Sequence, residues 1–370
     1  MIHGVAESQK EMNVNLSSPH TITELANEGQ IRTTTRHKCT LCGYEGQPMY
    51  AGQKDRLFGT GGLWDLKICS NRECGLIWLD PMPLPEDIGK AYANYYTHSK
   101  RDQMKRMGLL KRIYRLMKRG YWANRYNYEI GRGAFPIKIL GKFLYLFPLR
   151  RSEVEADVRH LEAVPQGRLL DVGCGSGEWL ATMRELGWQV EGVDFDGNAI
   201  RVARQSKLQV HHGSLEQQNF SNESFDAVVL NHVVEHVPNP VGTLVECARI
   251  LKPGGKLVLF TPNSSSLSHQ LFKRNWRGLE PPRHLHIFSM QSMHLLLERA
   301  GFKKSLIKPQ IAKSVIYESV LLRRGRNGHF SAQRRNMPVD MFARLFNMME
   351  LCLMKWKPSI ADCLVAVATK

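Results

Sequence analysis

The sequence predicts an α/β fold built on a doubly wound, mostly parallel sheet. Three observations carry this. From Gly167 onward, short apolar runs alternate with helical stretches, as in a parallel sheet with helices on both faces. The first run ends in Asp171-Val172-Gly173-Cys174-Gly175-Ser176-Gly177, a glycine-rich turn that opens into a helix. The second run ends at Asp194, 23 residues beyond Asp171, where a carboxylate can accept hydrogen bonds from both hydroxyls of a ribose.

The predicted strands are Arg168–Val172, Gln189–Val193, Leu208–His211, Phe225–Leu230 and Lys256–Thr261, with a late pair at Ser305–Pro309 and Cys363–Ala368. The helices between them are expected at Trp179–Leu186, Gly197–Gln205, Pro240–Leu251 and Met290–Ala300. Ahead of this domain (155–370), three stretches differ in texture. Residues 1–35 are polar and aperiodic and read as a loose tail. Residues 36–84 are rich in turns and hold four cysteines. Residues 85–154 form a basic helical segment, with Met107, Leu110, Ile113, Met117 and Tyr121 at helical spacing. Residues 310–360 are apolar and basic and carry no motif; they are candidates for covering an acceptor site.

The 370 residues carry 51 Lys and Arg against 34 Asp and Glu, a net charge of +17. Fifteen of those cations and only two acids, Asp102 and Glu129, fall in residues 100–151. Such a block suits an anionic partner: a phosphate-bearing substrate or glycan intermediate, a membrane surface or nucleic acid. It also suits a solvated helical face. No run reaches the roughly 20 apolar residues that span a bilayer; Ile137–Leu149 comes nearest and is broken by Lys138, Lys142 and Pro148. No apolar signal core begins the chain. Eight cysteines in this length make no disulfide scaffold. A cytoplasmic location is expected, with peripheral contact to an anionic membrane as an addition.

The Gly-x-Gly-x-Gly turn, Asp194, the strand Phe225–Leu230 and the turn Leu251-Lys252-Pro253-Gly254-Gly255 together resemble the class I S-adenosylmethionine (SAM)-dependent methyltransferases over roughly residues 155–305. That resemblance implies a seven-stranded Rossmann-like sheet and SAM as cofactor. It implies that Asp171, Gly173, Gly175 and Gly177 line the methionine part of SAM. Asp194 would hold the ribose and Phe195 would flank the adenine. Ser214 and Leu215 stand where the family often has Gly-Asp, so the usual carboxylate contact is absent and Ser214 would meet the adenine through its hydroxyl or main chain. Asn231 would lie beside the transferable methyl.

A sulfonium methyl is already electrophilic, so the protein must align the acceptor and often remove its proton. The candidates are His232, Glu235 and His236, which share a face if the segment is helical. This stretch is similar to that of ubiquinone-biosynthesis O-methyltransferases and of sugar methyltransferases. In the former an acid would be expected at His232, with matches at Glu235 and His236 and a divalent cation as an option. A second cluster, Asn275 to His286, resembles a loop of glycan and secondary-metabolite methyltransferases. In it Arg283 could pair with phosphate, His284 could act as base or donor, and Trp276 could offer a flat face to a sugar. Tyr95 and Tyr96 are weaker candidates for closing the acceptor pocket.

Cys39-x-x-Cys42 and Cys69-x4-Cys74, each followed by glycine, have the spacing of a structural Zn²⁺ site with four thiolates. His37 is a less favoured ligand. Cys174 fits the glycine turn as a small residue, and Cys247, Cys352 and Cys363 read as core. Cysteine knuckles ahead of a SAM domain resemble nucleotide-sugar C-methyltransferases. The main functional expectation is therefore methylation of a sugar or glycan intermediate, nucleotide- or lipid-linked, at carbon or oxygen. One alternative is an O-methyltransferase for a quinol or phenol. Another is an RNA methyltransferase or nucleic-acid-binding protein, although no RRM or KH signature is present.

Overall fold

The structure is a computed structural model that describes residues 30–93, 108–131, 134–328 and 336–370. The N-terminal part holds β1 (Thr33–Thr34), β2 (Gly46–Gln53), β3 (Trp64–Cys69), β4 (Ile77–Leu79) and β5 (Met82–Pro83). Three helices follow: α1 (Leu109–Tyr126), α2 (Ala134–Lys142) and α3 (Pro148–Asp157). The alternating part begins β6 (Arg168–Val172), α4 (Glu178–Glu185), β7 (Gln189–Asp194), α5 (Gly197–Gln205), β8 (Gln209–His212) and β9 (Phe225–Asn231). It continues with α6 (Pro240–Ile250), β10 (Leu251–Pro262), α7 (Leu267–Phe272), β11 (His286–Ile287), α8 (Met290–Arg299) and β12 (Lys304–Gln310). The chain closes with α9 (Lys313–Arg323), α10 (Met337–Leu353) and β13 (Cys363–Thr369).

The main sheet has seven strands in the order β12-β13-β10-β9-β6-β7-β8. Strands β6 to β10 run parallel, and β13 lies antiparallel to both β10 and β12. This is the doubly wound, seven-stranded Rossmann-like sheet that the sequence predicts. Successive side chains of a strand face opposite sides, so adjacent Leu169 and Leu170 enter different cores. Leu169 packs with Leu180, Met183, Ile200 and Ala203 of α4 and α5 and with Trp122 and Val154 from α1 and α3. Leu170 packs with Leu244 and Ile250 of α6 and Met293 and Leu296 of α8. The strand order reverses between β6 and β9, so the loops at their carboxyl ends open a crevice there. Helix α5 starts firmly because the Asp196 carboxylate accepts from the N–H groups of Asn198 and Ala199.

The N-terminal part is not a free-standing domain. Its four-stranded sheet runs β11-β4-β3-β2, and β11 comes from the far end of the chain. Leu41, Leu66, Leu76 and Trp78 share one core with Leu170 and Leu285. The boundary expected at residue 35 also shifts, because β1 pairs with β5 and Arg32 binds Asp87. Residues 1–29 lie outside the described residues. The boundary at 154 falls inside α3. Helices α1 and α2 cross at Gly120 and Gly141; a Cβ on Gly120 would sit 1.9 Å from the Ile137 carbonyl oxygen. Cys247 and Cys363 are buried as expected, but Cys352 is exposed on α10.

Candidate active site

The glycine turn sits at the carboxyl end of β6. Gly173, Gly175 and Gly177 all have positive φ, at 75°, 53° and 75°. A Cβ on Gly173 would lie 2.4 Å from Val233, and one on Gly177 would lie 2.4 Å from Leu208. Gly175 differs: nothing lies within 4 Å of the place a Cβ would take, so its main chain faces open space. The Gly175 N–H donates to Asp194 Oδ2 at 2.7 Å, and the Asp196 N–H donates to Asp194 Oδ1 at 2.8 Å. Asp194 is thus fixed beside the turn by main-chain donors. Burial raises its pKa. Asp171, also buried, is pushed up to about 7 by burial, against the pull of Arg159 and with the help of Asp194.

Arg159 was not singled out in the sequence. It has φ 51° and lies between the Trp179 and Phe260 rings, 5.3 and 5.1 Å from their centroids. Its Nε is buried without a partner. Phe195 is half exposed and lies edge-on to the Tyr92 ring at 5.0 Å. The Ser214 N–H is already taken by Gln217 Oε1 at 2.9 Å, and Leu215 is buried in the core. The main-chain contact expected from Ser214 therefore requires Gln217 to move, and Leu215 presents no side chain to a ligand.

The segment after β9 is a turn, not the helix expected from its spacing. His232 has φ 55°, and residues 234–236 close a tight turn. The clustering nevertheless survives. His232 Nδ1–H donates to Glu235 Oε1 at 3.1 Å. Glu235 is wholly buried, and its Oε2 has no partner. Burial pushes Glu235 up, but the His232 bond and the charges of His232, His236 and His284 outweigh it, so its pKa is lowered. The Glu235 carbonyl accepts from the N–H groups of Leu285 and His286, which joins this turn to the second cluster.

His236 and His284 meet ring to ring at 4.7 Å. His236 Nδ1 lies 2.9 Å from the Arg283 carbonyl, which can only accept, so Nδ1 carries the proton and Nε2 the lone pair. His284 Nδ1–H likewise donates to the Gly278 carbonyl at 2.7 Å. Burial lowers His284 to about 4 despite Glu280 beside it, so it stays neutral near pH 7. Glu235, His236 and His284 each offer a ligand atom within 4.8 Å of the others, a set that can hold a divalent cation. The sequence reading missed Tyr92, whose hydroxyl lies 2.9 Å from His236 Nδ1. Tyr95 and Tyr96 lie outside the described residues.

Two expectations for the second cluster fail. Trp276 is buried and stacked on His269 with centroids 4.5 Å apart, so it presents no face to a sugar. Arg283 is 1 % exposed. It makes a bidentate pair with Asp55 at 2.8 and 2.9 Å and donates from Nε to Glu280 Oε1 at 2.8 Å. Its donors are committed inside the protein, and it braces the loop rather than binding phosphate.

Cys39, Cys42, Cys69 and Cys74 converge as the spacing predicts. Their sulfurs lie 3.7 Å (Cys39–Cys74) and 3.3 Å (Cys42–Cys69) apart. A tetrahedral zinc with Zn–S bonds of about 2.3 Å separates its sulfurs by about 3.8 Å, so the set fits that ion. Contact with Cys74 pulls the Cys39 thiol down against its burial. His37 is exposed and lies beside Lys67, 3.4 Å away, not in the cluster.

Residues 147–305 match the family model described as a methyltransferase domain. The chain therefore carries, from α3 to β12, a region similar to a methyltransferase domain. The relatives that match it carry a more particular name. A ubiquinone biosynthesis O-methyltransferase from Xanthomonas campestris pv. campestris is 38% identical over 133 residues, 34% of this chain and 54% of the relative. One of the same name from Albidiferax ferrireducens is 38% identical over 122 residues, 31% of this chain and 48% of the relative. The chain thus spans about half the length of the curated relatives it matches. A solved SAM-dependent methyltransferase from Archaeoglobus fulgidus is 22% identical, with 62% of this chain and 99% of that one covered at a TM-score of 0.41.

Proposed function

We propose that this protein is a SAM-dependent methyltransferase that methylates a hydroxyl of a quinol or other phenol. The observation that carries the reading is the cluster of Glu235, His236 and His284 with Tyr92, held at the carboxyl end of β9 beside the glycine turn, whose Gly173 abuts Val233. The names of the relatives at 38% identity support the phenolic acceptor over a sugar. The sugar reading rests on the cysteine knuckles, the Trp276–His286 loop and the basic block; within that loop, Trp276 and Arg283 are buried in structural contacts.

In this reading Gly175 gives the cofactor its backbone wall, Asp194 receives the ribose hydroxyls, and Phe195 covers the adenine. Arg159, a cation with an unpartnered Nε, suits the carboxylate of the methionine part. Bound SAM supplies an electrophilic methyl on a sulfonium. His236 Nε2 takes the proton of the acceptor hydroxyl as its oxygen bonds to the methyl and the sulfur keeps the electron pair of the broken bond. The buried Glu235 carboxylate stabilises the imidazolium that results. A divalent cation held by Glu235, His236 and His284 would instead polarise the hydroxyl directly.

We also infer a structural zinc on Cys39, Cys42, Cys69 and Cys74, a closed set that leaves no position for chemistry. The acceptor reading is tested by turnover with methyl-labelled SAM against catechols and quinols, nucleotide sugars and RNA, with and without added divalent cation. Label is expected in phenol ethers. Label confined to sugar or RNA would overturn the reading.

A further inference from the structure

Two helical surfaces of this protein leave large apolar side chains in solvent. On α10 the buried face mixes Val339, Ala343 and Phe346 with Asp340, Asn347 and Glu350, whereas Met337, Met341, Leu345 and Met348 point outward and are each more than half exposed. Trp356, just beyond the helix, is 88 % exposed. The α1–α2 hairpin and the segment after it show the same feature: Leu109, Leu110, Phe135, Phe143, Leu146 and Phe147 are each more than half exposed. Phe143, Leu146 and Phe147 fall within five residues of one another, and residues 143–146 pack against α1. Scattered exposed apolar residues are ordinary, but clustered ones mark an interaction surface.

Basic side chains outnumber acidic ones beside both patches, although Lys118, Arg150 and Arg151 pair with Asp157, Glu153 and Glu155 of α3. Gly108 to Arg151 holds eleven Lys and Arg and one acid, Glu129. Lys111, Arg112, Lys138 and Lys142 are exposed, and no carboxylate among the described residues pairs with them. On α10 both acids, Asp340 and Glu350, are buried; Arg344, paired with Asp340, is exposed, as are Lys355 and Lys357 just beyond the helix. Both patches also belong to one end of the sheet. Helices α9 and α10 leave from Gln310 and return at Cys363, two residues paired with each other, and Cys363 pairs in turn with Pro262 at the carboxyl end of β10. Gln310 Nε2 donates to Ser152 Oγ at 2.9 Å, which ties α3, directly after Phe147, to the same end. Gly175, Asp194 and His232 stand there too, at the carboxyl ends of β6, β7 and β9.

We propose that this end of the molecule docks on an anionic phospholipid surface. The apolar side chains enter the boundary between headgroups and acyl chains, and the lysines and arginines pair with lipid phosphates. Among the described residues no helix is long and apolar enough to cross a bilayer, so the docking is interfacial. A second copy of the chain is a poorer occupant, because a two-fold face would set these cations against one another. Nucleic acid would use the cations but leave Phe, Leu, Met and Trp side chains in water. The inference is independent of the acceptor.

The test is flotation of the full chain with phosphatidylcholine vesicles, with and without phosphatidylglycerol, at low and high salt. Binding is expected to need the anionic lipid and to fall with salt. Leu146→Ser with Phe147→Ser, and Lys138→Glu with Lys142→Glu, should each lower partitioning about tenfold or more. All four residues are exposed, and binding of S-adenosylhomocysteine should be unchanged, which certifies the fold. Failure of the wild-type chain to float at low salt overturns the proposal. So does equal flotation of both double variants, or a dimer that the serine variants convert to monomer without any vesicle binding.

Discussion

The Tyr92 hydroxyl lies 2.9 Å from His236 Nδ1, and the same ring packs edge-on against Phe195 at 5.0 Å. One residue from the N-terminal part thus bridges Phe195, after β7, and His236, after β9. Because Nδ1 gives its proton to the Arg283 carbonyl, Tyr92 orients the ring without consuming the Nε2 lone pair. Tyr92→Phe is expected to lower kcat about tenfold, and His236→Ala on the order of 10²–10⁴-fold, with little change in SAM affinity. Single-turnover rates check this. Unchanged rates in both variants would remove His236 as base.

The Asp55–Arg283 pair joins the N-terminal sheet region to the loop that carries His284, with side chains 1 % and 0 % exposed. Arg283 holds Asp55 down at about 2, although burial works against it. Asp55→Ala would leave a buried guanidinium short of its bidentate partner, a loss on the order of 3–5 kcal/mol. Urea denaturation measures it. A loss below about 1 kcal/mol would show that the arginine's other acceptors, Glu280 and the Ala91 carbonyl among them, satisfy it without Asp55.

For the zinc site, metal analysis of the purified chain should find about one equivalent of zinc. Cys42→Ser should lower both zinc content and Tm. A metal-free chain of unchanged stability would refute the site.

Glu350 and Asp362 are buried together. Burial and mutual repulsion push Glu350 up to about 9, and burial pushes Asp362 up to about 7. Both folded values exceed the unfolded ones, so the folded state binds the protons more tightly. Their contribution to stability is full below about pH 4 and is lost as pH rises through 7 and on toward 9. Glu350→Gln removes that loss and should raise Tm by roughly 2–4 °C at about pH 8, and by less near pH 6. Calorimetric scans at both pH values check the sign; a Tm lowered at the higher pH would contradict it.

Much of the sheet was legible because its signals are local. All seven strands of the main sheet lie within a few residues of the apolar runs that predicted them, and Asp194 closes β7 as its position implied. What stayed hidden depends on distant contacts. The pairing of β11 with β4 joins residues some two hundred positions apart, and a two-residue strand has no periodicity to read. Trp276 and Arg283 were recognised as residue types, but their burial against His269 and Asp55 is a tertiary fact. His232 breaks the expected helix through a left-handed φ that a non-glycine residue seldom takes. Tyr92 carried no local mark separating it from Tyr95 and Tyr96.

The central claim is that the backbone at Gly175 and the carboxylate of Asp194 form a SAM cradle. Calorimetric titration with S-adenosylhomocysteine tests it most directly, on the wild-type chain, on Gly175→Val and on Asp194→Ala. Saturable one-to-one binding by the wild-type chain, abolished by the valine and strongly weakened by the alanine, is the expected result. No heat from the wild-type chain, or equal affinity in all three, would contradict it.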